Sequence, residues 1–245
     1  MRFSPPDASE LLALWERAAT TAQANRDDIL LAEQCEAPPS SLGMRNAALM
    51  ALRARLFGNM QLLRGACLSC GAIAEFAVDC AALSQALQPS PGAAEPQSLV
   101  IDGHRVEFRV PDIDDCRQAS RECTDAETFV STLLARCVTT SERDNCTPCA
   151  PEALPASVMA GLSHRMEELE PGASVGFDLA CPVCDGRWTT LMDVGEVLWV
   201  ELRDRAERLL IEVDALARTY GWTEPQVLAM SATRRAAYLQ LIGAA

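Results

Sequence analysis

Lysine is absent from this chain of 245 residues: all 21 basic side chains are arginines. That absence excludes Schiff-base chemistry, a lysine general base and the lysine of a phosphate-binding Walker loop. Histidine is scarce as well, with only His104 and His164. Neither stands in a His-Glu-x-x-His, a Gly-x-Ser-x-Gly or any other spacing that makes a catalytic base or ligand set. His104 reads as a turn residue, and His164 and the Glu167-Glu168-Glu170 cluster as solvated helix surface. No glycine-rich phosphate cradle is present. No apolar run reaches the roughly eighteen residues of a membrane span, so no membrane partner is expected.

Positive charge is in deficit, 21 basic residues against 34 acidic for a net charge of −13. An acidic surface repels phosphate backbones, so nucleic acid is not an expected partner; at its plainest the charge keeps the protein soluble. Hydrophobic residues make up 49%, enough to fill a core at this length. Met1-Arg2-Phe3-Ser4-Pro5-Pro6 leads into no apolar leader segment. Eleven cysteines in a chain this large therefore point to reducing cytoplasm rather than to a disulfide framework.

The cysteines are not scattered evenly. Cys67-Leu-Ser-Cys70 and Cys181-Pro-Val-Cys184 stand in matching surroundings. Each follows an alanine, and each precedes period-two alternation, Ala74/Phe76/Val78 and Trp188/Thr190/Met192. A shift of 114 residues carries one pair onto the other and Asp79 onto Asp193. Upstream of each lies a helical stretch closed by a turn, Arg45 to Phe57 with Gly58-Asn59, and Glu152 to Leu169 with Pro171-Gly172. The repeated unit is helix, turn, strand, knuckle, strand. A Cys-x-x-Cys turn aims two thiolates at one cation, and zinc takes four such ligands in a tetrahedron. Cys67, Cys70, Cys181 and Cys184 are therefore the expected ligands of one structural zinc. The plainer alternative is four small buried side chains. Thiol–disulfide exchange needs a cysteine at a helix N-terminus, and the residues after Cys70 and Cys184 alternate like strands instead.

Along the chain, Asp7 to Ala19 is expected to be an amphipathic helix, with Leu11, Leu12, Trp15 and Ala18 on one face, and a short helix follows over Asn25 to Cys35. In the stretch from Leu42, Leu49, Leu52 and Leu56 have helical spacing, with Arg45, Arg53 and Arg55 expected on the solvent side. Asp79 to Gln88 reads as one or two helical turns, and the proline-rich Pro89 to Pro96 as a surface loop. Leu99 to Val110 alternates, with Val100, Val106, Phe108 and Val110 on one face and Asp102-Gly103 as a hairpin turn. Helices are expected from Asp112 to about Ser120, and from Asp125 to Val138. A third pair, Cys146-Thr-Pro-Cys149, has no alternation beside it and reads as structural thiols, with a second knuckle or a redox couple as the alternatives.

Glu196 to Tyr220 is the strongest helix, with a stripe of Leu198, Leu202, Leu209, Val213, Leu216 and Tyr220. Glu201/Arg205, Asp204/Arg208 and Asp214/Arg218 stand at i, i+4. Gly221 ends it, Thr223 to Gln226 reads as a capping box, and Ser231 caps a last helix. The expected fold is α+β: a single, mostly helical body over 1–245, with two pseudo-symmetric hairpin knuckles of zinc-ribbon type and a long C-terminal helix followed by two short ones. The repeat halves span about 42–88 and 152–200, with a hairpin-and-helix insertion over about 97–150.

Several of these segments together resemble the T-even-phage baseplate hub assembly chaperones and their relatives in contractile injection systems. The motifs are Arg45-Asn-Ala-Ala-Leu-Met-Ala-Leu-Arg53 with Phe57-Gly58, Cys67-x-x-Cys70-Gly71 with Glu75-Phe-Ala-Val78, Phe108-Arg-Val-Pro111, and Cys181-Pro-x-Cys184. The most specific is Glu212-Val-Asp-Ala-Leu-Ala217 running through Tyr220-Gly-Trp222 into Leu228-Ala-Met230, Arg234-Arg235 and Tyr238-Leu239-x-Leu241-Ile242. The resemblance implies a cytoplasmic, non-enzymatic factor that helps assemble the baseplate or hub of a contractile tail, with hub proteins as partners. Trp222, Arg234, Arg235 and Tyr238 are the candidate contacts, the alternative being that the aromatics are core. A zinc-ribbon module acting on nucleic acid or on another protein is the competing reading, and a thiol oxidoreductase the third.

Overall fold

The computed structural model describes residues 7–32, 39–143 and 147–243. Helix α1 (Ala8–Ala19) opens on a capping box in which the side chains of Asp7 and Glu10 each accept the other's backbone N–H. It turns Leu11, Leu12, Leu14 and Ala18 inwards. Helix α2 (Gln23–Leu31) starts earlier and stops sooner than its pattern suggests; Cys35 and Pro38 lie outside the described residues. Helix α3 (Leu42–Phe57) starts at Ser41, whose hydroxyl accepts the Met44 N–H.

The first hairpin, β1 (Met60–Ala66) and β2 (Ile73–Asp79), runs into the short α4 (Cys80–Ala86). A four-stranded antiparallel sheet comes from the middle of the chain: β3 (Gln97–Ile101), β4 (His104–Phe108), β5 (Val138–Arg143) and β6 (Thr147–Pro148). Helices α5 (Ile113–Glu122) and α6 (Ala126–Cys137) lie between β4 and β5 in sequence. Next come α7 (Ala156–Leu169) and the second hairpin, β7 (Val175–Ala180) and β8 (Arg187–Met192). The chain closes with α8 (Val194–Tyr220), α9 (Glu224–Leu228) and α10 (Ala232–Gly243).

Helix α8 is the spine. At 27 residues it spans roughly 40 Å, and it ends where Gly221 adopts the left-handed conformation. Its Val194, Leu198, Trp199, Leu202, Ala206 and Leu209 pack with the apolar faces of α1, α2 and α3 in the largest core. A second cluster joins Phe108, Leu134, Cys137, Leu162, Met166 and Leu169, seating α7 on the inserted sheet and α6.

The structure departs from the sequence reading at several places. Arg53 is buried, not solvated: its guanidinium grips both carboxylate oxygens of Glu201 on α8 at 2.8 and 2.9 Å and donates to the Gly58 and Met60 carbonyls. Glu201 is thereby taken from Arg205, and Arg208 bonds the Asp204 carbonyl, so of the three expected pairs Asp214–Arg218 forms as an ion pair at 2.8 Å. Val100 points outward, because pairing across Asp102-Gly103 sets it opposite Arg105 on the far face from Val106. The Pro89–Pro96 loop is docked: the Ser90 N–H and hydroxyl bond the Leu169 and Glu168 carbonyls, and Ala93 is buried. Strand β5 adds to a sheet read as a two-stranded hairpin. Its polar Thr139-Thr-Ser-Glu-Arg143 run carries no apolar alternation to announce it.

Candidate metal centre

The two Cys-x-x-Cys turns fold in the same way. In the first, the Cys67 N–H donates to the Ala72 carbonyl at 2.8 Å and the Gly71 N–H to the Cys67 carbonyl at 2.9 Å. In the second, the Cys181 N–H donates to the Gly186 carbonyl at 2.8 Å and the Asp185 N–H to the Cys181 carbonyl at 3.2 Å. Each turn needs one left-handed residue. Gly71 supplies it at φ +74° and Asp185 at +56°, aspartate being among the side chains that tolerate this region. The strand registers coincide after a shift of 114 residues, Ala66 opposite Ile73 and Ala180 opposite Arg187.

The hairpins meet knuckle to knuckle. Cys67 and Cys184 sulfurs lie 3.7 Å apart, those of Cys70 and Cys181 3.6 Å apart, and all four fall within 4.8 Å of one another. Four thiolates about 2.3 Å from a tetrahedral ion are spaced by about 3.8 Å, so the cluster can hold a metal ion with little movement. Among the described residues it is the one compact group of three or more His, Cys, Asp or Glu ligands.

Electrostatics within the cluster point the same way. Backbone N–H groups of Cys70 and Ser69 draw the Cys67 thiol down to about 6. The Gly186 N–H favours the Cys184 thiolate, yet the sulfurs of Cys70, Cys181 and Cys67 outweigh it and push that thiol up to about 12. Four sulfurs this close cannot all ionise unaided. A divalent cation removes the conflict and releases the protons.

Beneath the sulfurs, Cys67, Cys181, Ala74 and Trp188 form a small apolar cluster, with Ala72 and Leu179 beside it. Gly65 permits the approach: a Cβ there would lie 2.9 Å from the Leu179 Cδ1 and 3.6 Å from the Trp188 ring. Phe76 and Phe177 meet across the same seam with ring centroids 5.2 Å apart and planes tilted by 51°.

The remaining described cysteines stand apart. Cys80 is buried 3.5 Å from an Arg53 nitrogen, while burial raises Cys116 to about 11 and Cys137 to about 12, which leaves them inert thiols. Cys149 sits where β6 meets β5, its N–H on the Ser141 carbonyl. Its sequence partner Cys146 lies outside the described residues.

At the C-terminus, half-buried Trp222 stacks on Tyr220 at 4.5 Å, and Tyr238 meets both rings edge-on. Exposed Arg234 lies 5.7 Å from the Tyr238 ring. Arg235 departs from its expected role as a surface contact. It is 3% exposed, bonds Glu212 of α8 at 2.8 Å and donates to the Met230 carbonyl, so it fastens α10 to the spine. Sequence reasoning missed Arg53, Arg235 and Glu170 as buried charges, because each sits among residues patterned like solvated surface. Comparison with protein families, curated proteins and solved structures found no match to this chain.

Proposed function

We propose that this chain is a zinc-stapled, non-enzymatic assembly factor whose partner is a baseplate or hub protein of a contractile phage tail or related injection system. The carrying observation is the thiol cluster. Its donors come from two hairpins 114 residues apart. Thiolates select zinc over hard cations such as magnesium or calcium. Four cysteines fill a tetrahedral shell and leave no open position for a substrate, as in structural zinc sites of the ribbon type.

The contractile-tail partner rests on the sequence resemblance, above all on the run from Glu212 to Ile242. That run builds the Tyr220, Trp222 and Tyr238 aromatic cluster with exposed Arg234 at its edge, the residue types enriched at protein interfaces. Net charge of −13 speaks against the nucleic-acid alternative.

The test is co-expression of the tagged chain with the sheath, tube, spike and hub genes of such a particle. Retention of a baseplate or hub component, weakened by Trp222→Ala and Arg234→Ala, supports the reading; recovery of no tail component rejects it. Elemental analysis of the same preparation is expected to find one zinc per chain, lost when Cys67 and Cys181 are changed to serine.

A further inference from the structure

Helix α8 turns one face to the core and leaves the opposite face bare. Leu198, Leu202, Ala206, Leu209 and Leu216 are buried on the first. At 3.6 residues per turn the middle of the other face falls on Ile211, which is 68% exposed. An exposed isoleucine alone is ordinary. The order of the charges around it is not.

Along this face the chain carries Asp204, Arg208, Ile211, Asp214 and Arg218: acid, base, apolar centre, acid, base. All five are exposed. Asp204 and Arg218 stand equally far to either side of Ile211, about two turns away, and Arg208 and Asp214 equally far at just under one turn. Reversing the helix about Ile211 therefore sets every one of these acids over a base. The same reversal puts Glu207 opposite Ala215 and Arg203 opposite Thr219, so no like charges are brought together. Arg208 donates to the Asp204 carbonyl, which leaves the Asp204 carboxylate with Arg203 at 3.8 Å. Toward its N-terminal end this face forms one wall of a groove of about 520 Å³, and Gln61 and Leu62 of β1 form another. Leu62 is 62% exposed and Val200 is also exposed, so apolar surface continues from the helix onto the hairpin.

We infer that this face of α8 is the interface of a homodimer, in which a second copy of the helix lies antiparallel across it with Ile211 on the twofold axis. Ile211 packs on its own counterpart. Asp204 meets the second copy's Arg218 and Arg208 meets its Asp214, and symmetry repeats both pairs. Each network of two acids and two bases is already joined within one chain by the 2.8 Å pair of Asp214 with Arg218. A parallel copy would set acid against acid and base against base at all four places, so the charge order selects the antiparallel one. The groove beside Leu62 receives the C-terminal end of the second copy's helix. The inference stands apart from the thiol cluster and from the assembly reading.

Sedimentation equilibrium of the full, metal-replete chain tests it, over about 1 to 200 µM so that even a weak pair is populated. A reversible monomer–dimer equilibrium is expected, loosened by salt because the ion pairs lie at the surface. Ile211→Asp places two carboxylates on the axis and is expected to weaken pairing by about tenfold or more. Asp204→Arg and Arg218→Asp each set like charges opposite one another twice per dimer, with a loss of about the same size expected. An equimolar mixture of these last two variants restores opposite charges at both places, and its pairing is expected to return to within about threefold of the parent. Misfolding cannot imitate that recovery, which keeps the test decisive if a variant is damaged for another reason. A parent that stays monomeric over the whole range, pairing unchanged in any of the three variants, or a mixture that pairs no better than its separate components overturns the proposal.

Discussion

Set β1–β2 beside β7–β8 and the two hairpins agree in register, in knuckle hydrogen bonds and in the left-handed residue that closes each turn. They agree again at Asp79 and Asp193, which cap the next helices with backbone angles of −81°/105° and −79°/103°. Beyond those caps they part company: α4 has 7 residues and α8 has 27. They also differ where they touch, with Gly65 in one hairpin at the position of Leu179 in the other, and Ala74 at that of Trp188. The likeness goes with the thiol cluster, since four sulfurs gathered to one point from two turns need two equal turns. The unlikeness comes from packing, because two hairpins pressed together cannot both carry the bulky member of a facing pair.

The most severe way to break this arrangement is to remove one sulfur from each hairpin. Cys67→Ser with Cys181→Ser is expected to abolish metal binding and lower the melting midpoint by roughly 10 °C or more. A metal that binds only the folded form contributes its binding energy to folding, and each kcal/mol is worth about 2–4 °C in a chain of this size. Calorimetry of the variant against the metal-replete protein decides it. A variant without metal that melts where the parent does would show that the hairpins are held by packing alone.

A second join between the repeats is an ion pair. Arg53 belongs to the first unit and Glu201 to the helix of the second. Arg53→Met leaves Glu201 without its partner and the Gly58 and Met60 carbonyls without their donor, an expected loss of about 3 kcal/mol in denaturant unfolding. Metal content should stay at the parent value. If Arg53→Met also empties the thiol site, the two joins are one cooperative unit and not independent.

These two joins differ in how far they could be read from the residues. The thiol cluster was legible because the Cys-x-x-Cys spacing is a local signature and occurs twice in matching contexts. The capping box at Thr223 was legible for the same reason, being settled within four residues. Arg53 was not, since its helix presents it like any solvated arginine, and only the arrival of Glu201 from 148 residues away makes its burial tolerable. Glu170 was hidden in an acidic run whose other members, Glu167 and Glu168, are exposed. Strand β5 was hidden by polarity, as its ladder to β4 is set by the partner strand and not by its own alternation.

A smaller effect sharpens the facing-pair argument. Gly65→Ala places a methyl 2.9 Å from the Leu179 Cδ1, the far end of a side chain that can give way, so a cost of about 1 kcal/mol is expected. Leu179→Ala removes what the methyl meets. The double variant should therefore be less destabilised than the sum of the singles, by more than the roughly 0.5 kcal/mol of ordinary scatter. Urea unfolding of the four proteins gives the coupling, and strict additivity would mean that Leu179 does not govern the approach at Gly65.

The smallest effect comes from the matched caps. Asp79 accepts the Ala82 N–H at 2.8 Å, and that bond together with the Asn59 side chain holds its carboxyl below the ordinary value. A pKa lower in the folded than in the unfolded state contributes stability that is fully present above about pH 4 and fades as pH falls through the depressed value. The stability gap between the parent and Asp79→Ala should therefore narrow in acid. Capping acts on the first turn only, so the damage from a lost cap depends on how else the helix is held. Helix α4 has Cys80 as its one buried residue, whereas α8 is held by Leu198, Trp199, Leu202 and others along its length. In hydrogen exchange, Asp79→Ala should strip protection from most of α4, while Asp193→Ala should touch no more than the first turn of α8. Fraying deep into α8 would mean that the spine depends on its cap as the short helix does, and that the two repeats stay alike beyond the aspartate.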